Sequence, residues 1–305
     1  PLRKIQTPPM QSTTPAPRPS GLSLRSILGL FKLRIGVVIT FTALAGLAVS
    51  SGPNLSLAQL AVLTLSVLVS SAAAGAFNQY YEHDLDPKMA RTKNRPFVTG
   101  EIKHGPLWLV IIAALTIVSV GAAWLVLNAW SAMYVFLGAF FYAIVYTVWL
   151  KRRTWLNIVF GGLAGSWAVL AGATAADPGH GAVPLALAFT LFLWTPPHFW
   201  SLAIACKDDY AAAGVPMLPV VVGDEKASQA IFYSTLALVA SSFLPLFFGL
   251  GWIYGVCSGI GGALFIVKSW QLTRAPGRKA ALGSFHASLI QLTLVLVGAI
   301  LDAQL

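Results

Sequence analysis

Asn78–Gly100 reads NQYYEHDLDPKMARTKNRPFVTG and follows directly on the apolar run from Leu57 to Phe77. An apolar run of about 20 residues spans a bilayer as a helix, and ionisable side chains placed at its end are costly unless they serve a purpose. Asn78, Glu82 and Asp86 stand four apart. On a helix that spacing stacks them on one face. Pro87 argues that the helix ends at Asp86, because the residue before proline avoids the α region, so the last carboxylate is expected on a turn. Lys88, Arg91, Lys93 and Arg95 come immediately afterwards. Oxygen ligands beside cations suit an anion bound through a divalent metal: the oxygens hold Mg²⁺, Mg²⁺ holds phosphate oxygens, and the cations take the remaining charge. The plainer alternative is a helix capped by an ordinary basic loop.

The chain is 305 residues long, 57% hydrophobic and only 10% charged. Soluble domains carry roughly 25% charged residues, so the composition is that of a polytopic membrane protein. The net charge of +10 does not indicate nucleic acid, because the cations are sorted by loop. Cys206 and Cys257 are far apart and imply neither a disulfide framework nor a zinc site. Residues 1–22, rich in Pro, Ser and Thr, are expected to form a disordered tail ahead of a single membrane domain over 23–305.

Nine segments are long and apolar enough to cross the bilayer, near 31–51, 57–83, 107–127, 130–150, 156–176, 182–205, 227–248, 250–270 and 283–303. Pro196 and Pro197 are expected to bend or interrupt the sixth. With this count all 20 Lys and Arg fall on one side, and the loops near 52–56, 128, 177–181 and 249 carry none. The basic side, with the N-terminus, is therefore placed in the cytoplasm or matrix and the C-terminus outside. Eight of the ten acids share the basic side, and only Asp177 and Asp302 lie opposite. Anionic lipid explains basic loops but not acidic ones, so acids kept among cations at one face read as a site.

A second arm, CKDDYAAAGVPMLPVVVGDEKA, follows the sixth segment. With Asp86 set against Asp209, Pro96–Glu101 aligns with Pro219–Asp224 as Pro-x-Val-x-Gly-acid. Asn78 then faces Ser201 and Glu82 faces Ala205, so the first arm looks like the principal metal holder. Internal duplication in membrane proteins commonly places a site between the copies.

The Asn-x3-Glu-x3-Asp run followed by RTKNRP (Arg91–Pro96) resembles the intramembrane prenyltransferases of the UbiA superfamily. PHFW (Pro197–Trp200), Asp209-Tyr210, VPMLPVV (Val215–Val221) and TWLNIVFGG (Thr154–Gly162) are similar to its haem-farnesylating branch. That resemblance implies an all-α fold of nine transmembrane helices around a central cavity, in the cell inner membrane or the mitochondrial inner membrane. It implies the reaction of farnesyl diphosphate, haem b and water to give haem O and diphosphate, dependent on one or two Mg²⁺, with haem b a substrate and not a resident cofactor. Membrane lipid surrounds such an enzyme, and haem A synthase or oxidase assembly factors are the partners to which the product would pass. His198 stands where relatives acting on aromatic acceptors carry an acid, which favours haem over a quinone or chlorophyll-like acceptor. Ala168 and Val169 replace a double proline usual in the haem branch.

Prenyl transfer breaks an allylic carbon–oxygen bond, and diphosphate leaves only if its growing charge is neutralised in a low-dielectric site. Asn78, Glu82 and Asp86 are assigned to Mg²⁺, with Asp209 and Asp208 for a second ion. Arg91, Lys93 and Arg95 are assigned to the diphosphate, and Lys151 and Arg152 join them from the loop after the fourth segment. Tyr142 and Tyr146 offer aromatic faces to the farnesyl cation, although core packing explains them equally well. His198, inside an apolar segment, is either a haem-positioning group or a satisfied core histidine. An anion transporter is the alternative of another class. It is disfavoured because the acids gather at one face, with no ionisable chain across the bilayer.

Overall fold

The computed structural model describes residues 23–305; the tail expected over 1–22 lies outside them. Every regular element among the described residues is helical. The helices are α1 (Leu24–Leu30), α2 (Leu33–Ala48), α3 (Leu57–Tyr81), α4 (Pro96–Thr99), α5 (Leu107–Val126), α6 (Ala129–Phe140), α7 (Asn157–Gly161), α8 (Leu163–Ala176), α9 (Ala182–Ala205), α10 (Lys207–Ala212), α11 (Leu218–Ser241), α12 (Leu244–Phe247), α13 (Trp252–Arg274) and α14 (Arg278–Asp302). A 3₁₀ turn covers Asp86–Lys88, and α6 runs on into a π-helical stretch, Phe141–Leu150.

Eight spans among the described residues are long and apolar enough to cross a membrane, and α1 with α2 makes a ninth, bent by 49°. The protein is thus a multi-pass membrane protein, and most segment boundaries fall within a few residues of expectation. Three differ instructively. The first span begins earlier and is broken at Phe31-Lys32, with Lys32 in the left-handed region at φ 47°. The seventh begins at Leu218 and not near 227, because the second arm's PVVVG is wound into α11, with a kink at Gly223. The third is α9, which runs unbroken through Pro196 and Pro197. A membrane helix tolerates proline where neighbouring side chains and helices absorb the freed carbonyls, and α9 packs between α8, α11 and α14.

Lipid offers no hydrophobic drive between helices, so close backbone approach matters most. Between α2 and α8 it is extreme: a Cβ on Gly172 would lie 1.7 Å from the Ala43 carbonyl oxygen, and one on Gly46 2.1 Å from that of Val169. Ala168 and Val169, at the unusual non-proline positions, are both buried there. The packing of α3 on α2 and on the π-helical stretch brings the end of α3 that carries Asn78 beside Lys32, Tyr142 and Thr147.

Candidate active site

α3 stops at Tyr81, five residues before the expected end at Asp86. Glu82 is its C-cap, and Asp86 opens the 3₁₀ turn that Pro87 enforces. Past Tyr81, backbone bonds of helical spacing run on, from the Glu82 N–H to the Asn78 carbonyl (3.0 Å) and from the Asp86 N–H to the Glu82 carbonyl (2.9 Å), so irregular turns beyond the helix carry the last two of the three oxygen-bearing side chains. All are buried, Asn78 to 2%, Glu82 to 1% and Asp86 to 0% exposure.

Each meets a cation from a different element. Lys32 Nζ donates to Asn78 Oδ1 at 2.6 Å and to the Tyr142 hydroxyl at 3.0 Å. Lys151 Nζ donates to Glu82 Oε1 in a very short contact. Arg95 Nη1 donates to Asp86 Oδ1 at 2.8 Å and Oδ2 at 2.7 Å, and lies 3.7 Å from Glu82 Oε2. Asn78 is oriented from behind, because its Nδ2 donates to Thr147 Oγ1 at 3.1 Å. Glu82 Oε2 is buried yet accepts no hydrogen bond. Such a group costs free energy unless something else fills its coordination.

Burial and charge pull these groups apart. Burial would raise the Glu82 carboxyl, but the adjoining Lys151 ammonium outweighs it and holds Glu82 below its usual range. For Asp86 burial wins, and its carboxyl stands above the ordinary value despite Arg95. Burial also draws Lys151 below the usual lysine range, against the pull of Glu82.

Tyr142 and Tyr146 stack with ring centroids 5.7 Å apart and 10° between planes. The π-helical winding carries them, and such windings are rare and often sit at functional sites. Lys32 lies 5.6 Å from the Tyr142 centroid and Lys151 5.6 Å from that of Tyr146. The two rings thus form one wall beside the charged cluster.

The remaining expected residues separate. Asp209 accepts from the backbone N–H groups of Ala90 (3.0 Å) and Arg91 (3.4 Å). It fastens the first arm's loop, while Asp208 is exposed. Neither joins the carboxylates of Glu82 and Asp86: no group of three or more acidic, histidine or cysteine side chains suited to a metal occurs among the described residues. Arg91 lays its guanidinium 4.8 Å from the Tyr210 ring centroid, and Lys93 is exposed. Arg152 is drawn away to Asp84, at 2.7 and 2.8 Å. His198 is buried in α9 between the rings of Trp194 (4.0 Å) and Phe285 (4.5 Å). Its Nδ1 is 2.6 Å from Ser288 Oγ, which donates to the Phe285 carbonyl. Nδ1 is then the donor and Nε2 keeps its lone pair.

Lys32 and Thr147 were not singled out from the sequence. Lys32 had a signal, one of two cations, with Arg34, at the start of an apolar stretch, FKLRIGVV. Its left-handed backbone, which turns it onto Asn78, had none.

A polytopic helical fold with buried oxygen ligands and cations at one membrane end defines a class, the intramembrane prenyltransferases. The UbiA prenyltransferase family model matches residues 39–292. The chain belongs to that family and is an enzyme. Its curated relatives narrow the class. It is 55% identical to protoheme IX farnesyltransferase 2 of Paramagnetospirillum magneticum over 280 residues, 92% of this chain and 97% of that protein. It is 38% identical to the protoheme IX farnesyltransferase of Synechocystis sp., over 93% of this chain and 90% of the relative. Among solved structures, digeranylgeranylglyceryl phosphate synthase superposes with a TM-score of 0.76 at 19% identity, covering 92% of this chain and 98% of that one. A UbiA homologue from Archaeoglobus fulgidus bound to GPP and Mg²⁺ superposes with a TM-score of 0.66 at 17% identity, covering 88% and 99%. At those identities the likeness is one of fold.

Proposed function

We propose that this enzyme transfers the farnesyl group of farnesyl diphosphate to haem b, giving haem O. The observation that carries the diphosphate half is the junction of Asn78, Glu82 and Asp86 with Lys32, Lys151 and Arg95. The names of relatives matching nearly the whole chain support the acceptor half.

The donor set is amide and carboxylate oxygen, the chemistry Mg²⁺ prefers, and the unpartnered Glu82 Oε2 is a vacant acceptor where such an ion would be satisfied. Asn78, Glu82 and Asp86 would hold it. Bound there, Mg²⁺ supplies Lewis-acid neutralisation of the leaving diphosphate. Lys151 and Arg95 bind the remaining phosphate oxygens, and Arg91 and Lys93 extend the charge along the loop. Asp209 first serves to hold that loop; with Asp208 it is the acid at hand for a second ion. Tyr142 and Tyr146 present their faces to the allylic cation as the carbon–oxygen bond breaks, and the apolar spans keep water from quenching it. His198 positions the haem. The basic, acid-bearing side faces the cytoplasm or matrix, where diphosphate is met and released, while the hydrophobic product leaves within the membrane to a haem-modifying or oxidase-assembly partner.

The test is incubation of detergent-purified protein with haem b, farnesyl diphosphate and Mg²⁺, following haem O by chromatography. Product is expected with metal and none after chelation. Transfer to a quinone precursor but not to haem would overturn the acceptor assignment.

A further inference from the structure

Every oxygen ligand proposed above is already held by a protein cation. Asn78 Oδ1 is taken by Lys32, Glu82 Oε1 by Lys151 and both Asp86 oxygens by Arg95. Glu82 Oε2 accepts no hydrogen bond and faces Arg95 Nη1 at 3.7 Å. Lys32 divides its donors between Asn78 Oδ1 and the Tyr142 hydroxyl. Its residue adopts a left-handed backbone that a lysine rarely takes. On the facing helix, Lys32 packs along α3 beside Gly75, three residues before Asn78: a Cβ there would lie at contact distance, 3.4 Å from Lys32 Cβ and 3.5 Å from its Cδ.

From this geometry we infer that the ligand oxygens are pre-paired with protein cations, so that the site takes the divalent ion and the diphosphate together and neither well alone, with Lys32 the group that must leave Asn78 and turn to the diphosphate. A lone divalent cation would have to displace ammonium and guanidinium groups, leaving the buried Lys151 and the part-buried Arg95 without counter-charge and Lys32 without its amide acceptor. A lone diphosphate would strip the same cations from two buried carboxylates. Either costs uncompensated buried charge. When both enter, the exchange conserves pairing: oxygens pass from cations to metal, and cations pass from oxygens to phosphate. A membrane enzyme so built keeps the charged groups of its empty site hydrogen-bonded to one another. This rests on the assignment of Asn78, Glu82 and Asp86 to the metal, and it adds Lys32 as a diphosphate-binding residue.

Equilibrium dialysis of the full-length protein in detergent measures it directly, with Mn²⁺ standing in for Mg²⁺. Three solutions are compared: Mn²⁺ alone, inorganic diphosphate alone, and both. The wild type is expected to retain each at least about 30-fold more tightly when the other is present, within the usual span of coupling between sites. Mn²⁺ alone binding within about 3-fold of its affinity in the pair would overturn the inference, and the metal assignment would stand. Failure to retain the pair at all would overturn both. In Lys32→Met, which keeps the side-chain length and the same backbone strain, Mn²⁺ alone should bind about 10-fold tighter and diphosphate more weakly, shrinking the coupling. Lys32→Arg should restore most of it. A Lys32→Met protein that unfolds at the wild-type temperature and keeps the full coupling would remove Lys32 from the scheme.

Discussion

The two acid-bearing arms carry the same Pro-x-Val-x-Gly text and differ in its outcome and in what they do with charge. In the first, α4 starts at Pro96 and ends at Gly100, a left-handed cap at φ 76° and ψ 5°. In the second, Leu218-Pro219 opens α11, and Gly223 at φ 82° and ψ 166° kinks it before the helix resumes. Proline at the helix start and a positive-φ glycine four residues on are common to both, but the glycine caps one helix and bends the other. The charges diverge. Glu82 and Asp86 are buried against two cations, Arg95 of the same arm and Lys151 at the end of the π-helical stretch. Asp209 holds backbone amides of the other arm, and Lys207 pairs with Asp224 at 2.9 Å near the surface. The two arms thus share a short text, while the buried carboxylates lie in the first.

Neutralising one acid in each arm gives the largest expected effect. Asp86→Asn should lower haem O formation by at least about 10²-fold, the scale for loss of one charge-stabilising group, with the melting temperature in detergent little changed. Asp209→Asn keeps an oxygen for the Ala90 amide and should cost less than about 10-fold, since only the loop loosens. Equal losses at the two positions, measured in the same turnover assay, would show that the second arm contributes a ligand as well, and the asymmetry would go. The acceptor side comes next. His198→Ala should weaken haem binding about 10-fold by absorbance titration, the scale expected for loss of one ligand-supporting contact, while diphosphate retention is unchanged. Equal loss of both would make His198 a packing residue between Trp194 and Phe285. Smallest is the effect on the two glycines. Gly100→Ala forces a Cβ into the left-handed helical region, at about 1 kcal/mol, and Gly223→Ala into a region essentially reserved for glycine, at up to about 3 kcal/mol, with nothing within 4 Å of either Cβ position. Both should lower the melting temperature, Gly223→Ala the more. An equal drop would mean that the two glycines do the same work.

Much of this was legible beforehand because membrane spans are written in composition. Boundaries such as 182–205 and the ninefold count follow from apolar length and from cations confined to alternate loops. Errors came where local rules met tertiary packing. Pro196-Pro197 reads as a break, yet α9 continues because neighbours enclose it. The segment expected to open near 227 runs straight on from the kink at Gly223, because DEKA interrupts the apolar run but is itself helical, and a short helical piece from Leu218 precedes the kink. At the site, spacing of four suggested a helical face for Asn78, Glu82 and Asp86, and the three did prove neighbours, but through a turn after Tyr81. Arg152 was grouped with Lys151 by adjacency, and successive residues point in different directions: Lys151 turns inward to Glu82 and Arg152 outward to Asp84.

The sequence by itself determined the membrane class, the span count, the polar face and the residue types that can hold metal and phosphate, since each depends on composition or short-range pattern. Which cation meets which oxygen was decided only in three dimensions. Lys32, Arg95 and Lys151 reach the end of α3 from separate elements, and burial makes each pairing compulsory once the helices close around it. No window of sequence contains the partners of a buried charge, so that choice belongs to the packed fold.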